Sequence, residues 1–219
     1  MMARTTIPYN LSSSLFFSRH QASRVESIFH HRLALAHAWD IPPASRILDM
    51  GCGQGEPYLL NAAQGHIMGI DSAPPDYGGP YTVEQSQRYI KTSKLGHRID
   101  VVRADLADFF HQGYTTGEFD VATFCHSLWY FPSRESIFDV FKRVADTGVR
   151  RLCLAEYSLR SSRPEQMPHV LATQAQALFH TLRKSAATRL REPNVRTALT
   201  PAELLDVAAQ LEWRATRSA

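Results

Sequence analysis

Cysteine is scarce in this chain of 219 residues: three in all, at Cys52, Cys125 and Cys153, with no CxxC spacing. An odd, unspaced set in or beside apolar runs argues against a disulfide framework and a cysteine-ligated zinc site. It fits a reducing compartment, and the cytoplasm is the expected location. No apolar run reaches the roughly 20 residues needed to cross a bilayer, so no membrane association is expected. Repeats and low-complexity tracts are absent. Acidic residues are missing before Glu26, whereas Arg4, Arg19, Arg24 and several serines lie in that stretch. This composition faintly resembles a transit peptide; we read it instead as an N-terminal arm that packs over the domain. An excess of one charge is also lacking, with a net charge of +3 and a pI near 8.8. The one basic gathering, Arg183, Lys184, Arg189, Arg191 and Arg196, reads as a solvated helix end and not as a nucleic-acid surface.

What the chain does have is an ordinary globular composition, 44% hydrophobic and 21% charged, and room for one α/β domain. Val25, Ile28, Phe29, Leu33, Ala36 and Trp39 recur at helical spacing, and Pro42-Pro43 stops that helix. Five short apolar runs follow at Arg46–Gly51, His66–Ile70, Arg98–Asp105, Phe119–Cys125 and Arg151–Tyr157, each read as a strand. Helical stretches separate them: about Gln54–Ala63, then Tyr81–Leu95 with Thr82 as N-cap, then a helix marked by Ile137, Val140, Phe141 and Val144. A long helix carrying Leu171, Ala175, Leu178 and Leu182 on one face comes later, and another starts at Thr200-Pro201. Strands alternating with helices imply right-handed crossovers and a doubly wound, mostly parallel α/β sheet.

The most informative stretch is Asp49-Met50-Gly51-Cys52-Gly53-Gln54-Gly55, at the end of the first strand. Glycines there let the backbone turn sharply and approach a ligand closely. A dinucleotide fingerprint, G-x-G-x-x-G, would place its third glycine at position 56, which is Glu56. The third glycine comes one residue early, at Gly55, and Asp49 stands two residues before the first. The pattern resembles motif I of class I S-adenosylmethionine (SAM)-dependent methyltransferases. The resemblance implies a Rossmann-like fold with strand order 3-2-1-4-5 and SAM as cofactor. It implies that Asp49 helps hold the methionine ammonium while Gly51, Cys52, Gly53, Gln54 and Gly55 cradle the cofactor. Asp71-Ser72 follows the second strand, at the offset where a carboxylate reaches ribose hydroxyls, and Asp105-Leu106 follows the third, where the family binds the adenine amino group. The likeness spans roughly Arg46 to Tyr157. More narrowly, PPDYGGPYT, CHSLWYF and LAEYS resemble fungal methyltransferases, some of them associated with secondary metabolism.

Cys125-His126-Ser127-Leu128-Trp129-Tyr130-Phe131 follows the fourth strand, beside the expected position of the transferable methyl. The Asp/Asn-Pro-Pro-aromatic sequence of DNA amine methylation is absent, and so is the acidic metal ligand of catechol-type enzymes. Nucleic acid and metal are therefore not expected. His126 is the candidate base for a substrate hydroxyl; alternatively it only contacts cofactor, as Cys125 beside it is expected to. Trp129 and Tyr130 are candidates for facing the sulfonium and substrate, and Tyr9 of the arm is a third substrate contact.

Residues 1–45 are thus expected to form an arm and helix that close the site as a lid, and residues 46–219 the SAM-binding domain. The expected reaction is methyl transfer to a small molecule, at a hydroxyl before nitrogen or carbon. Two alternatives stay open: a truncated, non-catalytic SAM-binding protein, and a nicotinamide oxidoreductase, which Glu56 disfavours. After the helix near Thr200, too few residues remain for the family's last two strands. The fifth strand is then an exposed edge through which the chain is expected to self-associate.

Overall fold

The computed structural model describes residues 30–55, 65–79, 81–111, 117–182 and 195–216. Residues 56–63 of the expected helix and the arm before residue 30 lie outside them, as do most of the basic residues near 190; Gln54 and Gly55 are described and are not helical. Five parallel strands form one sheet: β1 (Arg46–Met50), β2 (His66–Asp71), β3 (Ile99–Arg103), β4 (Val121–Cys125) and β5 (Arg151–Ala155). Their spatial order is β3-β2-β1-β4-β5, as the motif implied. The described helices are α1 (residues 30–39), α2 (Val83–Lys91), α3 (Leu106–His111), α4 (Arg134–Asp146), α5 (Met167–Leu182) and α6 (Pro201–Ala209).

Alternation along the strands divides the core in two. Leu48, Met50, Ala122 and Phe124 point to one face, where they meet Ile137, Phe141 and Val144 of α4 and Leu204 and Val207 of α6. Ile47, Val121 and Cys153 point to the other, with Ile90 of α2 and Ile41. Every residue of β4 is buried, because a central parallel strand is covered on both faces. The fifth run stands where it was expected, at an edge. Although apolar enough for burial on both faces, β5 is the sheet edge among the described residues, and only Cys153 is buried.

Local chemistry sets the helix boundaries. Thr82 with Gln85, Ser133 with Ser136, and Thr200 with Glu203 form reciprocal capping boxes, so α2, α4 and α6 each start with two orphan amides satisfied. The face of α5 that carries Leu171, Leu178 and Leu182 is exposed, and no residue of that helix is buried. Helical spacing marks an apolar face without saying whether a neighbour covers it.

Helix α1 matters most for the site. At its C-terminus Arg151 of β5 donates from Nη1 to the Asp40 carbonyl at 2.9 Å and also to the Trp39 carbonyl. These bonds satisfy terminal helix carbonyls with a cation. At the other end, Arg32 reaches Cys125 at the far end of β4. Helix α1 therefore runs antiparallel to β4 and β5 and delivers His31 and Arg32 to the carboxyl edge of the sheet.

Candidate active site

The carboxyl ends of the strands carry, in spatial order, Asp105, Asp71, the glycine loop, Cys125-His126 and Glu156. Gly51 sits at φ +74°, and a Cβ there would lie 2.5 Å from the Ser127 Cβ. Ser127 is itself buried and donates from Oγ to the Met50 carbonyl at 2.8 Å. Gly53, at φ +52°, has the opposite surroundings: among the described residues a Cβ there would meet nothing within 4 Å. One glycine is required by the protein's own packing, and the other opens onto space.

Asp71 holds this loop in shape. Its Oδ2 accepts from the Gly53 amide at 2.6 Å and its Oδ1 from the Ala73 amide at 2.7 Å. Gln87 of α2 donates to the Gly53 carbonyl at 2.9 Å, and Gln54 donates to the Tyr81 carbonyl. Cys52 turns its side chain into the Ile47–Ile67 core, so only its backbone faces the loop. Gly55 donates to the Cys52 carbonyl and is buried.

Asp49 is 1% exposed. Its Oδ1 accepts from the Thr123 hydroxyl at 2.6 Å, while Oδ2 has no hydrogen-bond partner. Burial pushes its carboxyl up to about 6, against the opposing pull of the Thr123 bond and the Arg32 charge. A buried carboxylate oxygen with no partner among the described residues is costly.

His126 adopts φ +54°, a left-handed conformation that is uncommon away from glycine and found at functional sites. Its ring is wedged between His31, with centroids 5.2 Å apart, and Tyr157 at 4.5 Å; Trp129 stacks on the far side of Tyr157 at 4.6 Å. The His126 Nδ1 lies 3.5 Å from Oε1 of Glu156, and its Nε2 lies 2.9 Å from Nε2 of His31. Glu156 is held by three backbone amides: Leu128 and Trp129 donate to Oε2, and Tyr157 donates to Oε1. Burial pushes the Cys125 thiol up to about 12, so this group stays protonated and accepts from Arg32.

The sequence reading missed Glu156, His31 as a partner of His126, Arg32, Thr123 and Gln87. Glu156 carried a usable signal: like Asp71 and Asp105, it is the acid that closes an apolar strand run. Of the expected residues, Asp105 and Ser72 are exposed on the edge, and Leu106 packs partly into the core. Tyr130 is exposed and edge-on to Trp129. Tyr9 lies outside the described residues. Among the described residues no group of three His, Cys, Asp or Glu side chains is placed to hold a metal ion. No described helix is long and apolar enough to cross a membrane.

Residues 48–152 match the family described as a methyltransferase domain. The methyltransferase phomM of Diaporthe leptostromiformis is 36% identical, over 86% of this chain and 64% of its own length. A solved cyclopropane-fatty-acyl-phospholipid synthase-like protein from Lactobacillus casei superposes with a TM-score of 0.74 at 34% identity. That match covers 84% of this chain and 67% of the other. The chain belongs to the SAM-dependent methyltransferases. A magnesium protoporphyrin IX methyltransferase from Synechocystis, solved with bound S-adenosylhomocysteine, shares the fold at a TM-score of 0.55 and 17% identity, over 87% of this chain and 74% of that one. The chain spans about two thirds of the length of these relatives.

The residues present suit the family's cofactor. Gly53 leaves space where a side chain would otherwise stand, Asp49 Oδ2 could accept from an ammonium group, and Asp71 lies beside Gly53. Each oxygen of Asp71 accepts a backbone bond yet keeps a second lone pair for a ligand hydroxyl. One sheet edge thus carries a glycine loop, a buried carboxylate and a second carboxylate bonded to that loop.

Proposed function

We propose that this methyltransferase transfers the methyl group of SAM to a hydroxyl of a small-molecule acceptor, whose proton is taken up by His126. The observation that carries the reading is the pairing of a strained His126 with Glu156 at the end of β4. When bound, SAM supplies a methyl group on a cationic sulfur, a far better leaving group than any side chain. A hydroxyl is almost wholly protonated near neutrality, so its oxygen must lose a proton as it attacks, and a base is useful. Nδ1 of His126 makes no hydrogen bond among the described residues, but the Glu156 carboxylate 3.5 Å away favours a hydrogen on that nitrogen and a lone pair at Nε2. When Nε2 gains the acceptor's proton, the resulting imidazolium stands 3.5 Å from a carboxylate that three amides hold in place.

In the present arrangement His31 covers that nitrogen. The acceptor must displace it, so α1, the described end of segment 1–45, acts as a lid over the site. Tyr157 and Trp129 then supply the aromatic wall on which a flat, apolar acceptor rests.

A screen with methyl-labelled SAM against phenols, aliphatic alcohols and amines tests the reading. Label is expected in a hydroxyl-bearing acceptor, and His126→Ala is expected to lower that transfer by about a hundredfold or more. Binding of S-adenosylhomocysteine should survive that substitution. Label found only in amines, or transfer that His126→Ala leaves intact, refutes the assignment. No transfer to any acceptor, with S-adenosylhomocysteine still bound, favours a binding protein without catalysis.

A further inference from the structure

Between His31 and His126 there is room for one hydrogen and not for two. Their Nε2 atoms stand 2.9 Å apart, so one nitrogen donates and the other accepts. Glu156 favours a hydrogen on Nδ1 of His126, which leaves Nε2 of that ring to accept from His31. A proton added to either ring still leaves one hydrogen between the two nitrogens. A proton on each ring sets two N–H groups against each other, and the bond is lost. The surroundings oppose the doubly charged pair as well. Arg32, next to His31 on α1, brings a further positive charge to Cys125 at the end of β4, whose thiol stays protonated. Glu156, beyond β5, offsets one charge only; Tyr157 stacks on His126, and His30 precedes His31 on the helix. Burial, then His126 and Arg32, hold His31 below its ordinary 6.5.

We propose that this pair is an acid-sensitive latch, which holds the His31 end of α1 over the site until both rings are charged and then releases it. The inference rests on α1 being the lid, and not on His126 being the base. Its direction with pH follows from counting protons. The closed pair takes one at most. With α1 lifted, His31 stands in water, where a histidine takes a proton near pH 6.5, and no second ring opposes it. The open form therefore binds one proton more, and acid favours it. Below about pH 6.5 opening gains by up to about tenfold per pH unit, the limit for one extra proton. The Asp40 end of α1 stays held by Arg151.

Amide hydrogen exchange on the full chain at pH 7.5 and pH 5.5, corrected for the intrinsic pH dependence of exchange, tests this without cofactor or acceptor. A short helix released from its contact frays. Protection across residues 30–39 is expected to fall by about fivefold to tenfold at the lower pH, with β1 and β4 unchanged. His31→Gln keeps an N–H donor that does not titrate. Its α1 should show the same protection at both pH values, whether the glutamine seats the helix or not. Histidine side-chain NMR on the native chain should show the two rings titrating as a coupled pair, the second step below 6.5. Unchanged protection of α1 in the native chain at pH 5.5 would overturn the latch. So would a loss in His31→Gln equal to the native loss, which would place the sensitive group elsewhere. Methyl transfer plays no part in these measurements, so failure of the base assignment leaves them standing.

Discussion

Thr123 donates to one oxygen of Asp49 at 2.6 Å and leaves the other oxygen buried without a partner. The pair joins the two central strands and at the same time holds an unsatisfied charge. Burial places the folded-state carboxyl at about 6, above its ordinary value of 3.8. Between about pH 4 and pH 6 the folded chain keeps a proton that the unfolded chain has lost. This group's contribution to stability therefore declines as pH rises through that window, and its full cost of about 2–3 kcal/mol applies above it.

Asp49→Asn is accordingly expected to be more stable than the native chain at pH 7.5 by an amount of that order. The difference should shrink as the pH falls towards 4. Thermal unfolding of both proteins across this range measures it. Affinity for S-adenosylhomocysteine should move the other way, weaker in Asp49→Asn and, in the native chain, falling as pH drops below about 6. A substitution that leaves both stability and affinity unchanged would show that Asp49 is not a buried anion awaiting a ligand.

The two glycines separate packing from binding. Gly51→Ala must adopt a left-handed backbone and push its Cβ into Ser127, so we expect it to cost about 2–5 kcal/mol of stability. Gly53→Ala carries only the backbone penalty, about 1–2 kcal/mol, because its Cβ enters open space. It should nevertheless lose S-adenosylhomocysteine binding if the cofactor lies over the loop as the motif implies. Chemical denaturation paired with calorimetry distinguishes them. A Gly53→Ala chain that binds normally would move the cofactor elsewhere.

Much of this arrangement was legible in the residues themselves. Alternating runs placed Asp49, Asp71 and Asp105 at successive strand ends, and the family resemblance of the glycine loop implied the sheet order. What Asp71 does with its two oxygens was not legible, because its partners are the backbone amides of Gly53 and Ala73. Arg32 and His31 were ordinary positions on a helix until the antiparallel lie of α1 across β4 and β5 brought them to the site. That lie depends on Arg151, more than a hundred residues away, capping the helix. Glu156 was legible in the same way as Asp71 and Asp105, as the acid closing an apolar run, although it read as the tail of that strand. Leu171, Leu178 and Leu182 show the reverse: the periodicity was plain, and it did not imply burial.

His126 pairs a functional ring with a backbone conformation that most side chains resist. Asparagine tolerates the left-handed region and β-branched residues do not. His126→Asn should therefore keep thermal stability within about 1 kcal/mol, whereas His126→Val should lose about 1–2 kcal/mol more. Both should lose methyl transfer. If the valine variant melts with the asparagine variant, the residue is not strained, and one argument for its functional role disappears.

The last expectation joins the two ends of α1. Arg151 holds the C-terminus of this helix through the Trp39 and Asp40 carbonyls at the amino edge of the sheet. The opposite end carries His31 and Arg32 to the site. Helical carbonyls without such a partner are open to water, and a helix of ten residues is marginal on its own. Arg151→Met keeps much of the packing stem and removes the donors. It should quicken amide hydrogen exchange across residues 30–39 while leaving β1 and β4 protected, because the sheet core does not depend on α1's cap. Exchange measured by mass spectrometry decides the case: unchanged protection of α1 would mean that packing alone seats the helix, and that Arg151 is not its anchor.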